Sequence, residues 1–268
     1  MVDAGLGLDA ERAARVKRMA ATSAHEWTRD DVTQLKRGMA SSAAGIPLKL
    51  AYGSDHPYRD AARLLGVRSD GIGLQASLAH GGFSNVWGAA MLPYADRDIA
   101  DWPFGAAELE PHYRAVAQLT GLAAVDDDLA ATFPLYSENP TRLPTSRQAE
   151  RLLTSLERQR ASLAREGIAF GRARLALTDG CVACGMCMYG CPYGFIYNSA
   201  TTVDALRRSG RFTYEPDILV DTVAEFADHA LVRGRRRLTA DRIERSAHRV
   251  YLATGVIPTT RILATSLG

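Results

Sequence analysis

The chain has 268 residues, 47% apolar and 23% charged, with a formal net charge of +2. That is enough to bury a substantial core, in one large domain or two smaller ones, at an ordinary globular composition. No basic stripe with interleaved aromatics points to nucleic acid, no run approaches the roughly 18 apolar residues of a membrane helix, and no secretory signal pattern opens the chain. A reducing, cytoplasmic location is therefore expected, where a tight cysteine cluster more often binds metal or does redox chemistry than forms disulfides.

Met1-Val2-Asp3-Ala4-Gly5 reads as the end of a strand, leading into a helical pattern from about Asp9 to Ala21. In dinucleotide-binding folds an acidic residue ends the second strand and binds the ribose hydroxyl. An ordinary surface N-terminus fits Asp3 equally well. From Ala40 to Asp70 the chain is rich in Gly, Ser and Pro and is expected to be irregular. It then reaches Ala79-His80-Gly81-Gly82-Phe83-Ser84-Asn85-Val86-Trp87-Gly88. Adjacent glycines let a backbone approach a ligand closely, and small polar neighbours can donate to a phosphate or a flavin edge. A plain tight turn is the alternative, as a structural hydrogen bond is for His80.

A helix is predicted from Glu110-Pro111, with proline at its first position, to about Thr120, with Gly121 as the stop. Thr145 or Ser146 is placed to cap a longer, Arg- and Glu-rich helix to about Glu166, ended by Gly167.

All four cysteines then follow, as Cys181-x-x-Cys184-x-x-Cys187-x-x-x-Cys191-Pro192. This is the spacing of the bacterial ferredoxin run. Three readings stand: an iron–sulfur cluster, a zinc held by four thiolates, or thiols and a labile disulfide. In two-cluster ferredoxins the fourth cysteine of the run serves the other cluster. No second run exists here, so a 3Fe-4S cluster or a site completed elsewhere stands beside a 4Fe-4S cubane. Tyr189, Tyr193 and Phe195 shield such a centre or simply pack the loop.

Thr201 to Leu206 opens a short helix ending at Gly210. Ile218–Phe226, Ala230–Val232 and Asp241–Ser246 alternate as a small antiparallel unit. Arg233-Gly234-Arg235-Arg236-Arg237 is predicted to be a turn with solvated arginines, and Arg249–Gly255 a buried strand ending in a glycine turn. A last helical pattern starts at Thr259-Thr260-Arg261-Ile262-Leu263.

Taken in order, Val2-Asp3-Ala4-Gly5, Gly81 to Gly88, Asp101-Trp102-Pro103, Leu109-Glu110-Pro111-His112-Tyr113, Leu252-Ala253-Thr254-Gly255 and Thr260-Arg261-Ile262-Leu263 resemble the glucose–methanol–choline family of FAD-dependent oxidoreductases. The resemblance implies an α/β fold: a partial FAD-binding, Rossmann-like (doubly wound) domain with a small antiparallel β unit and a Cys-rich insert. Residues 1–122 would carry the flavin loop, 123–210 the helical segment and the Cys-rich insert, and 211–268 the return to the FAD-binding domain.

The resemblance also implies roles. Asp3 would sit on the adenosine ribose. Gly81, Gly82, Ser84 and Asn85 would run along the pyrophosphate and flavin, Val220 would meet the adenine, and Ala253, Thr254 and Gly255 would form the turn beside the cofactor. Trp87 stands where many members have Asn. Cys181, Cys184, Cys187 and Cys191 resemble the insert of a bacterial subgroup. The expected reaction oxidises an alcohol or sugar CH–OH group, with electrons passing to FAD, then to an iron–sulfur centre and an electron-acceptor protein. No residue here reads as the catalytic base. The family's Gly-x-Gly-x-x-Gly strand–turn–helix and its catalytic histidine fall outside this sequence, so the chain reads as the middle piece of a longer protein. A metal-binding electron-carrier module or an inactive fragment are the competing readings.

Overall fold

The structure is a computed structural model and describes residues 1–42, 45–68 and 70–268. It is a mixed α/β chain with helices α1 (Ala10–Ala20), α2 (Arg29–Lys36), α3 (Ala61–Leu65), α4 (Ala106–Thr120), α5 (Arg147–Arg158), α6 (Arg160–Arg165), α7 (Ser199–Arg208) and α8 (Val256–Leu267). Strands β1 (Ile218–Glu225), β2 (Ala230–Arg236) and β3 (Arg242–Ala247) form one antiparallel sheet in the order β1-β2-β3. By its contacts the chain divides into two units. The first is Met1–Val86, Met188–Pro192 and Asn198–Gly268, and the second is Trp87–Cys187 and Tyr193–Tyr197.

In the first unit the expected N-terminal strand end is a short extended segment with a neighbour on each side. Val2 bridges Glu215 and Leu6 bridges Ala79, both in parallel. Asp3 N–H donates to Glu215 O at 3.0 Å, and His80 N–H donates to Leu6 O at 2.8 Å. Gly5 has φ +66, and a Cβ there would stand 2.9 Å from both Pro216 Cβ and the Tyr214 hydroxyl, so only glycine fits this approach. Ala4, Leu6, Ala61, Leu65, Ala76, Leu78 and Leu219 form a core cluster of this unit.

α1 spans nearly the expected stretch, and Asp9 caps it, its Oδ1 accepting from Arg12 N–H at 3.0 Å. The Gly/Ser/Pro-rich stretch is mostly turns, but Ala61–Leu65 forms a helical turn and a half; residues 43, 44 and 69 of that stretch lie outside the described residues. The three-stranded unit has the expected order, and β2 runs on through Arg236. The predicted arginine turn is therefore corrected: Arg233 to Arg236 are strand, and the turn falls at 237–239. Gly234 lies against the Leu219 carbonyl, where a Cβ would collide. The arginines are paired, Arg233 with Glu244 and Arg237 with Asp217. Asp221, at the register slip of β1, takes Arg235 and Arg261 together.

A second correction concerns Arg249–Gly255. It is irregular rather than a buried strand, and Tyr251 is 84% exposed. An apolar run makes a strand only when a neighbour supplies ladder bonds; among the described residues nothing pairs with this segment. α8 begins at Val256, earlier than its pattern suggests, and packs on β1, with Ser266 Oγ accepting from Val223 N–H at 2.9 Å.

In the second unit Pro111 lies inside α4 rather than at its start. The helix begins more than a turn earlier because Glu108 Oε1 accepts from Gly105 N–H at 3.1 Å and closes the N-terminus there. Gly121 is the stop, with φ +73. Ser146 caps α5, and the predicted long helix breaks at Gln159 into α5 and α6. Ala117, Leu122 and Ala124 form a core cluster with Met91 and Leu135 against them. Arg174, 3% exposed, is held by Asp127 Oδ1 at 2.9 Å and by the Arg172 carbonyl at 2.9 Å.

Candidate functional site

The diglycine loop of the first unit is built onto the start of α7. Gly81 has φ +85, and residues 82–85 form one 3-10 turn. A Cβ on Gly81 would stand 2.5 Å from Asn198 Oδ1 and 2.9 Å from Ala200 N, so this glycine exists to let the loop reach the helix. Asn198 caps α7 by accepting from Ala200 N–H at 2.9 Å, and its amide nitrogen donates to Asn85 Oδ1 at 2.9 Å. Ser84 Oγ accepts from Ser199 N–H at 3.0 Å, and Asn85 Nδ2 donates to Gly82 O at 2.7 Å and His80 O at 3.0 Å. Ser84 and Asn85 therefore spend polar atoms on fixing the loop. Gly82 differs: its φ is +54, and nothing lies within 4 Å of where a Cβ would stand.

Beside this loop Asp3 Oδ2 accepts from the Tyr214 hydroxyl at 2.9 Å and lies 3.8 Å from His80 Nδ1. His80 Nε2 faces Asp204 Oδ1 at 3.3 Å, and its ring stands 4.9 Å from that of Tyr214. Burial pushes the Tyr214 phenol well above its ordinary range, and the neighbouring Asp3 carboxylate adds to the shift. Tyr214 thus stays protonated and donates its hydroxyl to Asp3. His56, whose ring interacts with Asn85 of the loop, is buried, with Nδ1 3.3 Å from Ser54 Oγ. Burial, aided by the Arg59 charge, lowers its pKa to about 4. Asn198, Ser199, Asp204 and Tyr214 join the site only through the fold. The Asn-Ser pair ahead of a helical pattern was a legible cap signal, whereas Tyr214 carried none.

The other predicted residues lie as follows. Val220 is in β1 opposite Gly234, at the register slip. Ala253, Thr254 and Gly255 are exposed and lead into α8, which has no side-chain cap; Thr254 Oγ1 lies 2.9 Å from Thr259 Oγ1. Trp87 belongs to the second unit, where its indole N–H donates to the Tyr197 carbonyl at 2.9 Å and its ring meets Tyr197 edge-on.

Cys181, Cys184 and Cys187 lie on irregular segments of the second unit, and Cys191 on the Met188–Pro192 segment of the first. No disulfide involves them. Within the second unit the loop is closed at its base by the antiparallel Leu177–Ile196 bridge, and Tyr193 stacks on Phe195 at 5.6 Å. Among the described residues no group of three or more His, Cys, Asp or Glu side chains is gathered as metal ligands. In the first unit Tyr52 N–H donates to the Tyr189 carbonyl at 2.6 Å, and its hydroxyl donates to the Cys191 carbonyl at 2.9 Å.

No protein-family model, curated protein or solved structure matches this chain. Among the described residues no helix is long and apolar enough to cross a membrane.

Proposed function

We propose that this chain is part of an FAD-dependent oxidoreductase of the glucose–methanol–choline type, acting on the CH–OH group of an alcohol or sugar. One observation carries the reading: Asp3 and the His80-Gly81-Gly82 turn sit on neighbouring segments paired in parallel. In open parallel α/β sheets, ligands bind beyond the strand ends, with a carboxylate on the ribose and glycines along the phosphates. The doubly wound sheet of such enzymes belongs to this proposal. The residues fit FAD in two respects: space is open over Gly82, and the amides at the start of α8 carry no side-chain cap and favour an anion.

When bound, FAD supplies the hydride acceptor. The chain's own residues bind and orient. Asp3, oriented by the Tyr214 hydroxyl, takes a ribose hydroxyl. Gly82 offers its backbone to the pyrophosphate, while Gly81, Ser84 and Asn85 hold the loop still. Val220 presents backbone to the adenine, and Ala253-Thr254-Gly255 flank the cofactor.

The cysteine run supports an iron–sulfur centre that passes electrons onward, with zinc as the alternative. Its donor chemistry fits, since four cysteines outside any disulfide follow the ferredoxin spacing. The same run favours a second reading, an electron-carrier or zinc module without flavin.

Titrating the full chain with FAD tests the first reading. A weak, saturable change in the flavin absorption bands is expected, and it should be lost in Asp3→Ala. No change in large molar excess of FAD sinks it. Anaerobic purification with iron, sulfide and zinc analysis tests the second centre: iron with sulfide supports the cluster, and one zinc without sulfide replaces it.

A further inference from the structure

Tyr52 sits in an unusual backbone. It has φ +55, and Gly53 after it has φ +72, in a turn closed by the Ala51–Ser54 bridge. A bulky side chain in this left-handed region costs energy and persists only where its surroundings over-determine it. Two contacts supply that determination. Gly53 is pressed against α2: a Cβ there would stand 2.6 Å from the Arg37 carbonyl and 2.8 Å from that of Gln34.

On the other side Tyr52 grips three consecutive residues of the cysteine segment. Its N–H holds the Tyr189 carbonyl and its hydroxyl holds the Cys191 carbonyl. Its ring covers Gly190, where a Cβ would stand 2.5 Å from the ring edge. Gly190 is buried with φ +114, so the backbone between the two gripped carbonyls has no room for a side chain. Lys36 of α2 adds its ammonium 5.3 Å from the Tyr189 ring.

We infer that Tyr52 is the positioning residue for Cys191, fixing the backbone on which that sulfur is carried before any metal arrives. The inference deepens the metal-site reading and rests on it for its purpose, though not for its geometry. It gives the strained turn a role: preorganisation of a ligand removes part of the ordering cost of binding.

The test compares the wild-type chain, Tyr52→Phe and Tyr58→Phe. Tyr58 is the control, because its hydroxyl bonds the Lys49 carbonyl at 3.0 Å, away from the cysteines. Alkylation rates of the four cysteines are measured separately by mass spectrometry on metal-free protein, and cobalt(II) is titrated through its thiolate charge-transfer band. In Tyr52→Phe we expect Cys191 alone to react about fivefold faster, the effect of losing one hydrogen bond on local opening. Cobalt binding should weaken, and Tyr58→Phe should match wild type. An unchanged Cys191 rate, or an equal rise at all four cysteines, overturns the inference. A Cys191-specific rise with no cobalt band in any variant upholds the positioning and rejects the metal-site reading instead.

Discussion

Acid should loosen the unit that carries the diglycine loop, through His56. This imidazole is 4% exposed and titrates at about 4 rather than 6.5, because burial penalises its charged form. A folded-state pKa below the unfolded one means that the unfolded chain takes up the proton first. Stability is then fully present above pH 6.5 and is lost as pH falls toward 4. The interval between those values corresponds to roughly 3 kcal/mol at ~1.4 per unit, of which about 2 kcal/mol is gone at pH 5. Urea unfolding of wild type and His56→Gln at a series of pH values isolates this contribution, since other titrating groups cancel in the difference. Wild type should lose about 2 kcal/mol more than the variant between pH 7 and pH 5. Parallel pH profiles for the two proteins would refute the assignment.

The two glycines of the loop should respond differently. Gly81→Ala meets the α7 backbone and should cost roughly 2–4 kcal/mol, whereas Gly82→Ala enters open space and should cost about 1–2 kcal/mol of backbone strain, both read by thermal or urea unfolding. Under the FAD reading, Gly82→Ala should still weaken the flavin titration, and an unaltered titration counts against that role. Asn198→Ala removes the α7 cap and should destabilise by about 1 kcal/mol, with faster amide exchange in the first turn of the helix. In the second unit Asp127→Ala strands the buried Arg174 charge and should cost about 3–5 kcal/mol; a loss within ~0.5 kcal/mol would show that its carbonyl partners suffice.

The local elements were legible where a cap or an alternation settles the matter within a few residues. Asp9, Ser146 and Gly121 mark helix ends because the orphaned backbone groups there need a nearby side chain or a left-handed residue. The three antiparallel strands follow from period-2 patterning. Arg249–Gly255 carries the continuous apolar run Val250 to Ala253 of a buried strand yet is no strand, since pairing depends on a neighbour that the segment's own residues do not specify. Pro111 misled for a related reason: the helix start was set by Glu108 reaching back to Gly105, not by the proline.

The order of residues alone settles which chemistry is available: four thiols at ferredoxin spacing, a diglycine turn and an acidic residue near the start. Folding settles which of these meet. It set Asp3 beside His80 and Tyr214, spent Gly81 on packing against α7 while leaving Gly82 open, and put Tyr52 on the carbonyls around Gly190. Those contacts join residues from 77 to 211 positions apart. Their energy comes from burial and hydrogen bonds that exist only once the chain has closed on itself, and no local pattern encodes them.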